Sequence, residues 1–179
     1  MTLTEAIIVK MSHDLAGGIG AFANTIDLIK MDSSFQQEGF GLLESTGDML
    51  NARLKFFRAL YGAENKTISA GLVKDYLKTL AVKIELDGKV SSRLQLALVA
   101  VGIDILGLGG ELVLKENELT IKGQEIHCNP AYIQALIAKQ NSSCSPENVN
   151  AVWLSQLVKE LEKHLSLKEQ KDNLILAVA

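Results

Sequence analysis

Apolar side chains recur every three or four residues along the first third of this chain, which is the spacing of an amphipathic helix. The first such run extends from Leu3 to about Met31. Its apolar positions are Ile7, Met11, Leu15, Ile19, Phe22, Ile26 and Ile29. The polar segment Asp32-Ser33-Ser34 breaks the pattern, and a second helical run follows from about Phe35 to Tyr61. The pattern therefore predicts an antiparallel helical hairpin.

The second helix carries more apolar surface than one neighbouring helix can cover. Its apolar positions are Phe40, Leu43, Met49, Leu50, Leu54, Phe56, Phe57, Leu60 and Tyr61. We expect a second hairpin to cover the remainder, and the simplest source is another copy of the chain. The expected assembly is therefore a homodimer with a four-helix bundle.

The pattern changes after residues 62–66, which we interpret as the boundary between two domains, residues 1–64 and residues 65–179. In the second domain, helices are predicted over Ser69–Leu80, Ser91–Leu106, Pro130–Gln140 and Pro146–His164, with Pro130 and Pro146 near first helical positions. Strands are predicted over Val82–Leu86, Glu111–Lys115, Glu118–Lys122, Leu165–Lys168 and Leu174–Val178. The predicted fold class is α+β, with the helical hairpin first and a mixed domain after it.

Composition and charge narrow the class of protein. The 179 residues are 47% hydrophobic but only 5% aromatic, so aliphatic side chains must fill the core. The net charge of −3 disfavours nucleic-acid binding, which usually needs a basic surplus. The longest apolar stretch, Leu94–Gly110, is interrupted by Gln95 and Asp104 and is shorter than the ~20 residues of a membrane span.

The N-terminus and the cysteines bear on the cellular compartment. No basic region precedes the first apolar residues, so no secretory signal is expected. Cys128 and Cys144 form no CxxC pair, a pattern that suits reduced thiols better than a disulfide framework. We expect a cytoplasmic protein with neither a membrane nor a nucleic acid as partner.

His13 stands out among the histidines because of its place on the first helix. At about 100° per residue it lies about 160° from Leu15, so its side chain is predicted to point into solvent. The same face continues through Gly17, Gly20 and Asn24. The general expectation for a histidine is a surface or core imidazole without a special role.

Three glycines, Gly17, Gly18 and Gly20, follow His13 within the predicted helix. Each glycine in a helix interior costs about 1 kcal/mol relative to alanine. Their presence indicates that another backbone or domain approaches closely at this point. The alternative is that they mark a kink or the end of the helix.

The segment Lys10-Met11-Ser12-His13-Asp14-Leu15, followed by small residues and Asn24, resembles the phosphoacceptor helix of two-component histidine kinases. Three further features make the resemblance more specific: the segment Arg53–Arg58, Gly62 and a degenerate second half. With them, the chain resembles the ChpT-type histidine phosphotransferases. The resemblance extends in element order over essentially the whole chain. It implies a dimerisation hairpin that carries the histidine, and a degenerate, kinase-like α/β sandwich that has lost ATP binding.

Three features of the second domain disfavour an ATP-dependent kinase. The predicted helix Ser91–Leu106 contains no asparagine of the kind that holds Mg²⁺ in kinase domains. The segment Asp104–Gly109 resembles a DxGxG motif but has one extra residue, and its glycines suit a helix cap and turn. No glycine-rich lid follows.

The resemblance implies a phosphorelay in two-component signal transduction. His13 would take a phosphoryl group from the receiver domain of a hybrid histidine kinase and pass it to response regulators, with a phosphohistidine intermediate. Asp14 would assist as a hydrogen-bond or proton acceptor. The implied partner-binding residues are Ser12, Gly17, Gly20, Ala21 and Asn24. No bound cofactor is expected, and Mg²⁺ is expected on the partner receiver.

Other interpretations stay open at this point. The chain could be an active histidine kinase core, or a dimeric adaptor or anti-sigma-like scaffold without catalysis. A metal site at His127-Cys128 with Cys144 lacks a fourth ligand at normal spacing. Arg53 and Arg58 could each contact a receiver domain or simply be exposed to solvent. Gly17 stands where family kinases with phosphatase activity carry Thr or Asn, which disfavours that activity.

Overall fold

The structure, a computed structural model, describes residues 1–62, 68–69, 71–123, 126, 129–137, 143–170 and 173–179. The chain begins with two long helices, α1 (Leu3–Met31) and α2 (Gln36–Tyr61). A short 3₁₀ turn, Ser33–Phe35, joins them. The two helices and the polar break between them agree with the sequence pattern, and the predicted hairpin is confirmed.

Capping contacts fix both ends of α1. Thr2 accepts a hydrogen bond from the Glu5 amide at 3.2 Å, and the Glu5 carboxylate accepts one from the Thr2 amide at 2.9 Å. At the other end, the Asp32 carboxylate accepts from the Ser34 amide at 2.8 Å and so begins the turn. Hydrogen bonds from the Thr2 amide and hydroxyl lower the pKa of the Glu5 carboxyl, and those from the Ser34 hydroxyl and amide lower the pKa of the Asp32 carboxyl. Because the ends are fixed, so is the position of His13 along the hairpin.

Small residues form the contact between the two helices. Gly18 packs against Leu50, and Gly39 packs against Ile29. This corrects the predicted apolar stripe, because Ile19 is 59% exposed while its neighbour Gly18 is buried. Since the helix axes approach closely at the glycines, the bulky side chains beside them are displaced to the flanks of the contact.

The rest of the chain is a mixed α/β arrangement. Its helices are α3 (Leu72–Leu77), α4 (Arg93–Ile105), α5 (Pro130–Ile137) and α6 (Val149–Glu160). Its strands are β1 (Ile84–Asp87), β2 (Gly110–Lys115), β3 (Glu118–Lys122), β4 (Leu165–Gln170) and β5 (Asn173–Val178). The described strands form a sheet in the order β1-β2-β3-β5-β4, in which β1 and β2 are parallel and the other pairs antiparallel. The α+β class is confirmed.

Three predicted helices begin later than the sequence indicated, α4 by two residues, at Arg93. α3 covers only the middle of the predicted Ser69–Leu80 segment. α6 starts after Asn148, so the placement of Pro146 at a first helical position is wrong. The reason is that the Asn148 side chain bonds the Ser145 amide at 2.8 Å and the Ser143 carbonyl at 3.0 Å, which holds this segment in a turn. The predicted helix end at Gln140 and the turn at residues 171–172 lie outside the described residues.

One hydrophobic core lies beneath both the hairpin and the sheet. Phe56, near the end of α2, stacks on Tyr76 of α3 with ring centroids 3.8 Å apart. The same cluster includes almost all of α4 and the inward faces of the strands, with Leu112 and Leu176 fully buried. In the part of the chain that the structure describes, no helix is long and apolar enough to cross a membrane. The domain boundary near residue 64 stays a prediction, and the core is continuous across it.

Candidate functional site

His13 lies near the middle of α1, and its side chain is 89% exposed. The predicted orientation into solvent is therefore confirmed. Because helix α1 is regular on both sides of this residue, the imidazole is displayed on a rigid element rather than on a loop. An incoming group can reach the ring without a rearrangement of the backbone.

Asp14 lies beside one nitrogen of the His13 ring. Its Oδ1 atom is 3.5 Å from His13 Nδ1, and its side chain is half-buried. If the proton of a neutral imidazole is on Nδ1, facing this carboxylate, the lone pair is on Nε2. The geometry therefore suits a histidine that uses Nε2 as a nucleophile.

A polar network that the sequence did not reveal connects this part of α1 with the second half of the chain. Lys10 Nζ is 3.6 Å from Asp104 Oδ1, at the end of α4. Asp104 Oδ2 accepts hydrogen bonds from Tyr132 at 2.9 Å and from Asn150 at 2.8 Å. Tyr61 in turn donates to the Asn150 side-chain oxygen. Burial raises the pKa of Asp104, and the Lys10 charge and the two hydrogen bonds oppose that rise.

Arg53 of α2 attaches the turn that carries His13 to the segment before β1. Its guanidinium donates to the Asp14 carbonyl at 2.5 Å, to the Thr79 carbonyl at 2.7 Å and to the Thr79 hydroxyl at 3.2 Å. Because these bonds occupy three of its five N–H donors, Arg53 is not simply solvated. Arg58 is exposed.

The predicted partner-binding residues share one property in the structure. All of them are exposed: Ser12, Gly17, Gly20, Ala21 and Asn24. A Cβ atom added at Gly17 or Gly20 would meet nothing within 4 Å, whereas one at Gly18 would be 2.7 Å from Leu50 Cδ2. Among the described residues, the close approach predicted from the three glycines is made by α2, at Gly18. α1 continues as one helix through all three, so they do not mark its end.

A comparison with solved structures shows which known fold this is. The structure of a bacterial phosphotransferase superposes with a TM-score of 0.77 at 18% sequence identity, covering 99% of this chain and 95% of that one. The chain has the fold of this phosphotransferase. The match includes both the hairpin and the sheet, because almost the whole length of each chain is aligned. No protein-family model and no curated protein matches the sequence.

In this fold, the segment that resembled a DxGxG motif forms the end of α4 and the turn into β2. Gly109 and Gly110 have φ angles of +92° and +150°, which residues with a side chain rarely adopt. A Cβ atom at Gly109 would also lie 2.6 Å from the Lys83 carbonyl oxygen, which accepts a bond from the Gly110 amide. The turn that leads into β2 therefore requires these glycines. The presence of Asp104 is accounted for by its contacts in the polar network around Lys10.

The structure tests the metal-site alternative only in part. Cys144 is buried, and burial raises the pKa of its thiol. His127 and Cys128 lie outside the described residues. Among the residues that are described, no group of three or more His, Cys, Asp or Glu side chains lies close enough to hold a metal ion.

Proposed function

We propose that this chain is a histidine phosphotransferase of the ChpT type, which relays a phosphoryl group through His13 between receiver domains. The observation that carries the proposal is the exposed imidazole beside Asp14, midway along a rigid helix. The fold shared with a bacterial phosphotransferase supports it. The donor is the receiver domain of a hybrid histidine kinase, and the acceptors are response regulators.

The chemistry consists of two displacements at phosphorus. The lone pair on His13 Nε2 attacks the aspartyl phosphate of the donor, the P–N bond forms, and the P–O bond breaks to release the aspartate carboxylate. The ring then carries positive charge shared with Nδ1–H, which the Asp14 carboxylate stabilises. In the second step an acceptor aspartate attacks phosphorus and the P–N bond breaks. Mg²⁺ on the receiver neutralises the phosphoryl oxygens, so this chain needs no metal of its own.

The surface around His13 suits the close approach of another protein. The residues proposed to contact the receiver are Ser12, Gly17, Gly20, Ala21 and Asn24. Without side chains, Gly17 and Gly20 leave room for a receiver loop to bring its aspartate to the imidazole. Phosphoryl transfer depends mainly on such alignment.

We assign residues 1–64 to dimerisation and phosphotransfer and residues 65–179 to a degenerate ATPase-like sandwich that does not bind nucleotide. Two structural features account for the residues that resembled a nucleotide-binding motif. They are the turn at Gly109 and Gly110 and the ion pair of Asp104 with Lys10. The second domain then supports the first through the shared core and the network around Lys10.

The proposed dimer rests on apolar side chains left exposed on the hairpin. Leu28 of α1 and Phe40 of α2 are 51% and 60% exposed, near the turn that joins the helices. They lie about 22 Å along the axis from His13, at 1.5 Å per residue. A second hairpin that covers them completes a four-helix bundle and leaves the histidine accessible.

The double variant Leu28→Glu/Phe40→Glu is expected to be monomeric, because it places like charges in the interface proposed between the two copies. Light scattering coupled to size-exclusion chromatography measures the mass. Ser45→Glu, at an exposed polar position about 140° around α2 from Phe40, is the control and should remain a dimer. A wild-type chain that is monomeric at micromolar concentration would contradict the proposed assembly.

The test of the proposed function uses the purified chain with two alternative phosphoryl donors. With a ³²P-labelled receiver and Mg²⁺, the chain is expected to acquire an acid-labile label, because phosphohistidine is hydrolysed in acid. With labelled ATP alone, no label is expected. Labelling by ATP would instead indicate a histidine kinase core, and no label from any phosphorylated receiver would favour a non-catalytic adaptor.

A further inference from the structure

A row of alternating charges leads from α4 to the phosphoacceptor histidine. Asp104 Oδ1 is 3.6 Å from Lys10 Nζ, and Lys10 Nζ is 3.8 Å from Asp14 Oδ2. The other oxygen of Asp14, Oδ1, is 3.5 Å from His13 Nδ1. Lys10 therefore lies between two carboxylates, and Asp14 lies between Lys10 and the imidazole.

The Asp104 end of the row is the more firmly held. Its second oxygen is bonded to Tyr132 and Asn150, from two further helices, and Tyr61 of α2 bonds Asn150. The Asp104 and Lys10 side chains are only 18% and 19% exposed, so solvent screens their attraction less than it would on an open surface. The row thus begins at a carboxylate that is held by hydrogen bonds and mostly shielded from solvent, and it ends at the exposed His13 ring.

Lys10 needs a fixed negative partner such as Asp104 in order to stay beside the Asp14 carboxylate. A lysine ammonium on its flexible four-carbon stem loses rotamer freedom when it is confined between two carboxylates. Asp104 favours that confinement, because its negative charge attracts the ammonium from the side opposite Asp14. Lys10 then faces Asp14 Oδ2, while Oδ1 faces the imidazole. Arg53 holds the backbone of the same residue through the Asp14 carbonyl.

We propose that Asp104 is a positioning residue for His13, acting through Lys10 and Asp14. Asp104 holds Lys10, Lys10 orients the Asp14 carboxylate, and Asp14 stabilises the imidazole tautomer with the proton on Nδ1. That tautomer has its lone pair on Nε2, whereas a free histidine in water prefers the proton on Nε2. The kinetic part of this inference rests on the proposed phosphotransfer function; the tautomer part does not.

The experiment measures the tautomer of His13 directly. ¹⁵N chemical shifts of the imidazole nitrogens are recorded on the full chain as a function of pH and compared at their alkaline plateau, and His13 is assigned by the signals lost in His13→Gln. The wild type is expected to show more of the Nδ1–H form at His13 than at His164, an exposed histidine. Asp104→Asn and Lys10→Met should lower that fraction toward the His164 value, and Lys10→Arg should restore it.

Transfer kinetics give the second measurement. With a phosphorylated receiver as donor, Asp104→Asn and Lys10→Met should lower kcat about 3- to 30-fold with little change in KM, since the receiver-binding face is intact. Lys30→Met is the matched control, because Lys30 forms an exposed ion pair with Asp27 on the same helix. It should change neither the tautomer nor the rate.

The possible results separate this inference from the proposed function. A folded Asp104→Asn variant with the wild-type tautomer fraction would overturn the inference, whatever its transfer rate. If Asp104→Asn does not fold, Lys10→Met decides by the same criterion. A tautomer shift in a chain that no receiver phosphorylates would support the positioning role and contradict the phosphotransfer.

Discussion

His13→Ala is expected to lose more than about 1,000-fold of the rate at which the chain takes phosphate from a phosphorylated receiver. The variant removes the only atom to which the phosphoryl group becomes bonded in the proposed reaction. The substitution should change the free energy of unfolding little, because the His13 side chain is 89% exposed and alanine is the better helix former. The loss therefore measures chemistry rather than folding, and rapid-quench labelling followed by gel separation records it.

The matched control for that variant is His164→Ala. His164 is also an exposed histidine, but it lies just before β4, in the second half of the chain. It should retain the wild-type rate, and both variants should melt within a few degrees of the wild type. Equal labelling of His13→Ala and the wild type would contradict the assignment of His13 as phosphoacceptor.

Leucine substitutions at two neighbouring glycines are expected to have opposite effects. At Gly18, a Cβ atom alone would lie 2.7 Å from Leu50 and 2.9 Å from Met49, so a full leucine overpacks the hairpin. We expect Gly18→Leu to lower the free energy of unfolding by about 1–3 kcal/mol. At Gly20 nothing lies within 4 Å, and the better helix propensity should leave stability equal or about 1 kcal/mol higher.

The same pair separates folding from receiver docking. Gly20→Leu keeps the fold but adds a bulky side chain to the face that displays His13, so we expect transfer to slow by at least about tenfold. Thermal denaturation and transfer kinetics on the same preparations test both expectations. A Gly20→Leu variant with the wild-type rate would show that the receiver does not use this face.

Local spacing was sufficient to predict most of the elements. The long apolar periodicity predicted α1 and α2. The nearly all-apolar run at Ser91–Leu106 predicted the buried helix α4. The exposure of His13 also followed from helix geometry, because an angle of 160° from Leu15 does not depend on the rest of the fold.

Contacts between distant segments could not be predicted in this way. Which side of α1 packs on α2 depends on the close approach at Gly18, and periodicity favoured the bulkier Ile19 instead. The pairing of Lys10 with Asp104 joins α1 to α4, and no local pattern marks two such residues as partners. Arg53 is a similar case, since its acceptors on Asp14 and Thr79 are backbone and hydroxyl oxygens.

The continuous core beneath the hairpin has a mechanical consequence. With Phe56 stacked on Tyr76 and Lys10 paired with Asp104, a hinge motion of α1 and α2 against the sheet would have to break buried contacts. A partner that docks on both parts would meet a surface whose shape is set before the encounter. Little conformational entropy would be lost on association, so weak, rapidly reversible contacts can still be specific.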